Sequence, residues 1–186
     1  MLDNSLKEQL KAIFANLESE YQFDIYASQD HESYSELVEL LEDVVASSPK
    51  FSLKINEGNY IAFNLLKNGE ETGVVFRGIP NGHEFTSLLL AVLNSDGKGK
   101  NQPDEFIRKR VESLKGKINL TTYVSLTCTN CPDVVQALNL MAIINPDITH
   151  EMVDGAIYKE EVESLKIQAV PAVYAEIGRA SCRERV

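Results

Sequence analysis

The sequence predicts an α/β protein in which a mixed central sheet is flanked by helices and one order of elements is used twice. Apolar residues at helical spacing alternate along the chain with short runs in which apolar and polar residues alternate. The order helix, strand, helix, strand recurs after a polar, glycine-bearing segment at 94–101 that is typical of a linker. With 186 residues, the chain is long enough for one large domain or two small ones.

The first unit is predicted to contain three helices and four strands. Apolar residues at helical spacing predict the helices at 4–17, 34–45 and 84–93. Alternation or short apolar runs predict the strands at 23–27, 51–55, 60–66 and 73–76.

The second unit repeats the first four elements and adds a short helix before its next strand. Its helices are predicted at 104–114, 132–144 and 160–167. Its strands are predicted at 120–125, 148–153 and 170–174. This order is the thioredoxin-type arrangement, so we predict two tandem fused thioredoxin-like folds, at 1–98 and 99–175.

Cys128 and Cys131 lie between a predicted strand and a predicted helix, and they are the main candidates for a functional site. One helical turn brings two such residues to the Cα separation that a disulfide needs, roughly 4.4–6.8 Å. A helix N-terminus stabilises a thiolate. We therefore predict thiol–disulfide exchange in which Cys128 attacks and Cys131 resolves the mixed disulfide. Residues 27–30 are the matching position in the first unit and contain no thiol.

Two other interpretations of the cysteine pair stay open. A structural zinc site normally has four protein ligands, and the chain has no second close pair of Cys or His residues, so no metal is expected. The other alternative is two incidental cysteines on a helix. The strand before the pair and the helix after it argue against that alternative.

Pro171 and Glu84 are the remaining candidate site residues. Pro171 opens a predicted strand downstream of the cysteines and matches the cis-proline that lies beside the active disulfide in thioredoxin-like folds. An ordinary trans proline on an edge strand is the alternative. Glu84 starts an apolar helix, where a carboxylate more commonly interacts with the helix dipole. Its functional interpretation is an acid that helps to move a proton at the dithiol.

Charge and composition disfavour several classes of partner. The formal net charge of −10 disfavours binding to phosphates, so nucleic acid is not expected as a partner. No apolar run is long enough to span a bilayer, so no membrane partner is expected. The N-terminus is polar and lacks the apolar core of a signal peptide, which predicts a cytoplasmic protein.

Three runs resemble the N-terminal domain of the alkyl hydroperoxide reductase flavoprotein family, the F component of that system. They are YVSLTCTNCPDVVQALNLMA at 123–142, GHEFTSL at 82–88 and AVPAV at 169–173. The resemblance covers about residues 1–175. It implies two fused thioredoxin-like folds, of which only the second carries the redox pair.

The resemblance implies an electron relay. In the family, a flavoprotein portion passes electrons from NADH through FAD to this domain, which reduces the disulfide of a peroxiredoxin, the C component; the full-length protein is expected to be a homodimer. The resemblance makes Cys128 the interchange nucleophile and Cys131 its partner. It also makes Glu84 the glutamate that assists proton transfer and Pro171 the cis-proline. No GxGxxG motif follows a strand, so FAD and NADH are expected to bind outside this chain.

Two functions compete with the relay. One is a free-standing glutaredoxin-like protein disulfide reductase, which a separate reductase or glutathione would supply with electrons. The other is a non-redox adaptor module whose paired folds only bind a partner.

Residues 176–186, EIGRASCRERV, depart from the family pattern, which would continue into a last strand and a closing helix. A DNA string that encodes them resembles a common sequencing adapter read in frame. We therefore expect a non-native tail, whose Cys182 and arginines take no part in function. The second fold is then incomplete at its C-terminus.

Overall fold

The computed structural model describes residues 2–100, 102–177 and, as backbone only, 183–185. The helices are α1 (Asn4–Phe14), α2 (Tyr34–Val45), α3 (Phe85–Ser95), α4 (Glu105–Ser113), α5 (Cys131–Ile144) and α6 (Lys159–Ser164). The strands are β1 (Tyr21–Ala27), β2 (Phe51–Glu57), β3 (Ile61–Lys67), β4 (Glu70–Arg77), β5 (Ile118–Val124), β6 (Ile148–Asp154), β7 (Ala172–Ile177) and β8 (Arg183–Arg185). A 3-10 turn at Gly82–Glu84 precedes α3.

The strands of the described chain form one mixed sheet in the order β2-β1-β3-β4-β6-β5-β7-β8. β1 pairs parallel with β2 and antiparallel with β3, and β3 pairs antiparallel with β4. β5 pairs in the same way with β6 and β7, and β7 pairs antiparallel with β8. The prediction of two tandem thioredoxin-like folds is therefore confirmed. Parallel pairing of β4 with β6 joins them into a continuous sheet.

The structure corrects which residues of the first unit correspond to the cysteine pair. α2 begins at Tyr34 and α5 begins at Cys131, at the same distance along the chain from the strands that precede them. His31 and Tyr34, and not residues 27–30, therefore stand where the second unit has Cys128 and Cys131. The first unit still has no thiol at this position.

Several predicted boundaries differ from those of the structure, and two of the differences have a clear physical reason. α6 ends before Lys166, which adopts a left-handed φ of 52°, so the helix is shorter than predicted. The linker predicted at 94–101 begins inside α3, where Asn94 and Ser95 are buried. Asp96 then accepts hydrogen bonds of 2.9 Å from two backbone N–H groups in the loop before β1. The start of this segment is therefore fixed to the first unit.

Helices α2, α3 and α5 pack on one face of the sheet, and α6 packs on the other. The larger core lies beneath α2, α3 and α5 and runs through both units. It extends from Leu41 on α2 through Phe76 on β4 to Val135 on α5. A smaller cluster holds Tyr123 and Tyr174 beneath α6. The first unit has no helix between β2 and β3, so the matching face of that unit carries no α6 counterpart.

The tail predicted at 176–186 is described only in part. Residues 178–182 and 186 of the tail predicted at 176–186 lie outside the described residues, and Cys182 is among them. Residues 183–185 form β8, which pairs antiparallel with β7. In the first unit, β4 pairs with β3 in the same way. No described helix is both long and apolar enough to cross a membrane.

Candidate redox site

Cys128 and Cys131 form a disulfide at the N-terminus of α5, with their Cα atoms 5.5 Å apart. Pro132 occupies the first turn of α5, where its missing N–H removes no helical hydrogen bond. Cys131 is fully buried, whereas Cys128 is partly exposed in the loop after β5. The backbone N–H of Cys131 donates to Cys128 Sγ at 3.2 Å. After reduction, this N–H and the helix N-terminus stabilise a thiolate on Cys128, the sulfur that a partner can reach.

The Val170–Pro171 peptide bond is cis and lies beside the disulfide. The carbonyl oxygen of Val170 is 3.9 Å from Cys128 Sγ. The cis geometry expected for Pro171 is therefore confirmed, although the proline precedes β7, which begins at Ala172. Because the Val170 side chain is exposed, a molecule whose disulfide reaches Cys128 also meets this loop.

Glu84 ends the 3-10 turn before α3 and is fully buried. Its Oε2 accepts a hydrogen bond of 2.6 Å from Ser87 Oγ, and its Oε1 has no partner among the described residues. The side chain makes no capping bond to α3, so the common role at an exposed helix start does not apply. Burial raises the pKa of Glu84, and the hydrogen bond from Ser87 offsets only part of this effect. Glu84 therefore holds a proton at pH values where an exposed glutamate has lost it.

The turn that carries Glu84 packs against the second unit. The backbone N–H of His83 donates to the carbonyl oxygen of Leu126, just before the cysteine pair, at 3.2 Å. On α5, Gln136 Nε2 donates to Ser87 Oγ at 3.3 Å. The structure therefore brings the Glu84 turn of the first unit against the helix that begins at the redox pair.

Two further buried groups were not identified from the sequence. His150 on β6 is fully buried, with Nδ1 2.6 Å from Asn139 Oδ1 and Nε2 2.8 Å from Thr122 Oγ1. Burial lowers the pKa of His150 to about 3, so the ring is neutral. Burial also raises the pKa of Asp154, at the end of β6. The alternation at 148–153 indicates that the histidine faces inward, but it does not identify its partners. Within residues 2–100 and 102–177, no three metal-binding side chains are grouped to hold an ion.

A doubled thioredoxin-like fold with a Cys-x-x-Cys disulfide at a helix N-terminus defines the class of thiol–disulfide oxidoreductases. No family model matches the sequence. Over 175 residues, 94% of the chain, it is 45% identical to the F component of alkyl hydroperoxide reductase from Staphylococcus aureus. It is 43% identical over 175 residues to a Bacillus subtilis protein named NADH dehydrogenase. The chain spans 34%, about a third, of the length of both relatives.

Solved structures show which part of these relatives the chain matches. The N-terminal domain of the alkyl hydroperoxide reductase AhpF from Enterococcus faecalis superposes with a TM-score of 0.88 at 30% identity, covering 100% of this chain and 93% of that one. This chain belongs to the AhpF family of alkyl hydroperoxide reductases and corresponds to its N-terminal region. A protein disulfide oxidoreductase from Aeropyrum pernix has a TM-score of 0.82 at 18% identity over 95% of this chain and 85% of its own, and shares the fold.

Proposed function

We propose that this chain is a dithiol/disulfide relay that passes electrons to the disulfide of a peroxiredoxin. The electrons would come from a flavoprotein portion outside this chain, which would hold FAD and oxidise NADH. The observation that carries the proposal is the disulfide between partly exposed Cys128 and buried Cys131 at the start of α5. Membership of the family supports the choice of donor and acceptor.

The proposal also includes the setting in which the relay works. The chain would act in the cytoplasm, without nucleic acid or membrane, and the full-length protein would be a homodimer. Because the donor cofactors would bind elsewhere, the chain alone would not reduce a peroxiredoxin with NADH.

The exchange begins with the reduced pair. The Cys128 thiolate attacks one sulfur of the partner's disulfide, whose S–S bond breaks, and the departing partner thiolate takes up a proton. Cys131 then loses its proton and attacks Cys128 Sγ in the mixed disulfide. That bond breaks, the second partner thiolate leaves and is protonated, and the Cys128–Cys131 disulfide forms. The pair has then lost the two electrons that the partner's disulfide gained.

Glu84 and Pro171 would both assist this exchange. In its ionised form, Glu84 would accept the proton that Cys131 loses, because its Oε1 has no partner among the described residues and its turn packs against α5. Pro171 would hold the Val170 carbonyl beside Cys128, where it limits the directions from which a partner can approach.

Serine variants of the two cysteines test the assigned roles. Cys128→Ser is expected to abolish reduction of an oxidised peroxiredoxin, because a serine hydroxyl does not replace the thiolate. Cys131→Ser is expected to accumulate a mixed disulfide through Cys128, because nothing resolves it. Non-reducing electrophoresis and mass spectrometry of the reduced variants mixed with oxidised peroxiredoxin would detect both outcomes. Cys182→Ser is the matched control, and normal turnover by Cys131→Ser would contradict the roles.

The electron donor separates the relay from its alternatives. Reduction of the Cys128–Cys131 disulfide by the separately supplied flavoprotein portion with NADH, but not by glutathione, would support the relay. Efficient reduction by glutathione would instead favour a glutaredoxin-like reductase. A midpoint potential near the thioredoxin range, roughly −270 mV, would favour either redox function over the non-redox adaptor.

A further inference from the structure

Arg77 is a largely buried cation of the first unit that contacts the second unit. It ends β4, and only 14% of its side chain is exposed. Its guanidinium bonds both carboxylate oxygens of Glu161 on α6 and lies 3.6 Å from a carboxylate oxygen of Glu151 on β6. It also stacks over the ring of Tyr158, with Cζ 4.3 Å from the ring centroid. A planar guanidinium with two forked bonds fixes the position of its partner more tightly than a single contact would.

Tyr158 gives α6 a second contact with the first unit. It is the N-cap residue of α6, and its hydroxyl accepts a hydrogen bond of 3.1 Å from Ile61 N–H. The same hydroxyl donates to the Ile61 carbonyl oxygen at 3.0 Å. Tyr158 and Arg77 therefore hold the first turn of α6 against β3 and β4.

The position of α6 matters for the redox site because the chain continues from it to the cis-proline. Residues 165–170 connect the end of α6 to Pro171. Leu165 and Ile167 in this connection pack in the small core beneath α6. The connection ends at Val170, whose carbonyl oxygen lies 3.9 Å from Cys128 Sγ. Residues 165–170 therefore link α6 covalently to the carbonyl beside the reactive sulfur; 165 and 167 pack in the core and 168–170 are exposed.

We propose that Arg77, with Tyr158, is a positioning residue for the redox pair: from the thiol-free unit it sets the distance between the Val170 carbonyl and Cys128. The proposal rests on the proposed exchange function. It means that the first unit contributes to the exchange through Arg77 as well as through Glu84. In the reduced protein, the Cys128 thiol donates to the Val170 carbonyl, which favours the neutral thiol. Loosening α6 lengthens this contact and makes the thiolate easier to form.

The test measures how fast iodoacetamide alkylates Cys128 in the reduced 186-residue chain as a function of pH, with labelling at Cys128 read by peptide mass spectrometry. Tyr158→Phe and Arg77→Met are each expected to lower the midpoint of the pH profile by roughly half a unit. Arg77→Lys should lie between Arg77→Met and the parent chain, because it keeps the charge but not the forked geometry.

The direction in which the alkylation midpoint moves distinguishes a positioning role from a purely electrostatic effect of the Arg77 charge. Removing the Arg77 cation would by itself raise the midpoint, because a distant positive charge favours the thiolate. Tyr158→Phe removes no charge at neutral pH, so its effect reports position alone. The carboxyl groups of Glu84, Asp133 and Asp154, on the elements around the pair, are the same in every variant.

Lys7→Met is the matched control, because it breaks a partly buried ion pair with Asp43 within the first unit, 2.6 Å long. It should leave the profile unchanged. An unchanged or raised midpoint in Tyr158→Phe would overturn the proposal, whether or not Arg77→Met folds. An unchanged or raised midpoint in a folded Arg77→Met would overturn the part assigned to Arg77. Alkylation needs no protein partner, so failure to reduce a peroxiredoxin would count against the proposed function and not against this positioning role.

Discussion

Glu84 is a buried carboxylic acid, and its titration links the stability of the fold to the proposed chemistry. Burial raises its pKa above the ordinary value of 4.5. Between the unfolded and the folded pKa, the native state therefore binds more protons than the unfolded chain. The stability contributed by protonated Glu84 is present at low pH and is lost as pH rises through the raised pKa.

Glu84→Gln is expected to raise the free energy of unfolding at neutral pH, because a neutral amide avoids burying a charge. Below the ordinary glutamate pKa, the variant and the parent chain should be nearly equal in stability. Exchange with a peroxiredoxin should become slower, since the amide accepts no proton from Cys131. Urea unfolding at two pH values and stopped-flow exchange would measure these effects, with exposed Glu8 changed to Gln as the control. A variant less stable than the parent at neutral pH would contradict this account.

The sequence identified individual site residues where the signal is local. The spacing of Cys128 and Cys131, and the strand before them, are visible in a short window of sequence, as is Pro171. The burial of Glu84 was not predictable in this way, because it depends on a turn of the first unit packing against α5 of the second. The contacts of Arg77 were not predictable for the same reason, because its partner Glu161 lies far along the chain.

At the scale of elements, the turn at Gly82–Glu84 joins the two units next to the redox pair. Gly82 has a left-handed φ of 55°, and a Cβ there would lie 2.8 Å from the Leu126 carbonyl oxygen. Gly97 also has a positive φ, 74°, but a Cβ there would meet nothing within 4 Å. Both glycines therefore adopt a left-handed backbone conformation, but only Gly82 has a neighbouring atom that an added Cβ would meet.

Gly97→Ala should destabilise the chain by about 1 kcal/mol, the cost of a left-handed non-glycine residue, and leave exchange unchanged. Gly82→Ala should cost more, because the backbone of the turn or of Leu126 must also move. It should slow exchange as well, since Leu126 precedes the reactive cysteine by two residues. Thermal unfolding and alkylation of Cys128 would compare the two variants. Equal effects of both substitutions on exchange would show that the contact with Leu126 does not position the pair.

Element order and most element boundaries were predictable because each element carries its own apolar periodicity. The helix predicted at 34–45 matches α2 at both ends. The early end of α6 was not predictable, since Lys166, and not a glycine, takes the left-handed conformation after it. The linker predicted at 94–101 starts too early, because Asn94 and Ser95 are buried in α3 and Asp96 bonds the loop before β1.

At the scale of the whole molecule, the two thioredoxin-like units form one structure. The β4–β6 pairing aligns Val74 with His150 and Arg77 with Val153, so a single sheet crosses the boundary between units. One core cluster also runs through both. The sequence predicted two tandem folds, but the edges on which they join were not predictable, because the pattern within a strand does not identify its neighbours.

A shared sheet and core predict that both units unfold together. Phe76 on β4 is fully buried and stacks on Phe63, with ring centroids 5.1 Å apart. Phe76→Ala should therefore cost about 3–5 kcal/mol, and the loss should appear in the second unit as well as in the first. Phe106 on α4 is 69% exposed, so Phe106→Ala is the control and should change stability little.

Hydrogen exchange read by mass spectrometry would test this cooperativity, because it reports opening separately for each strand. Peptides covering β1 and β3 should lose protection in Phe76→Ala, and peptides covering β5 should lose it by the same free energy. If β5 kept its full protection while β1 and β3 opened, the units would be independent, and the first unit could not hold Cys128 in position through the sheet. Equal losses would mean that the thiol-free unit is part of the same cooperative structure as the redox pair.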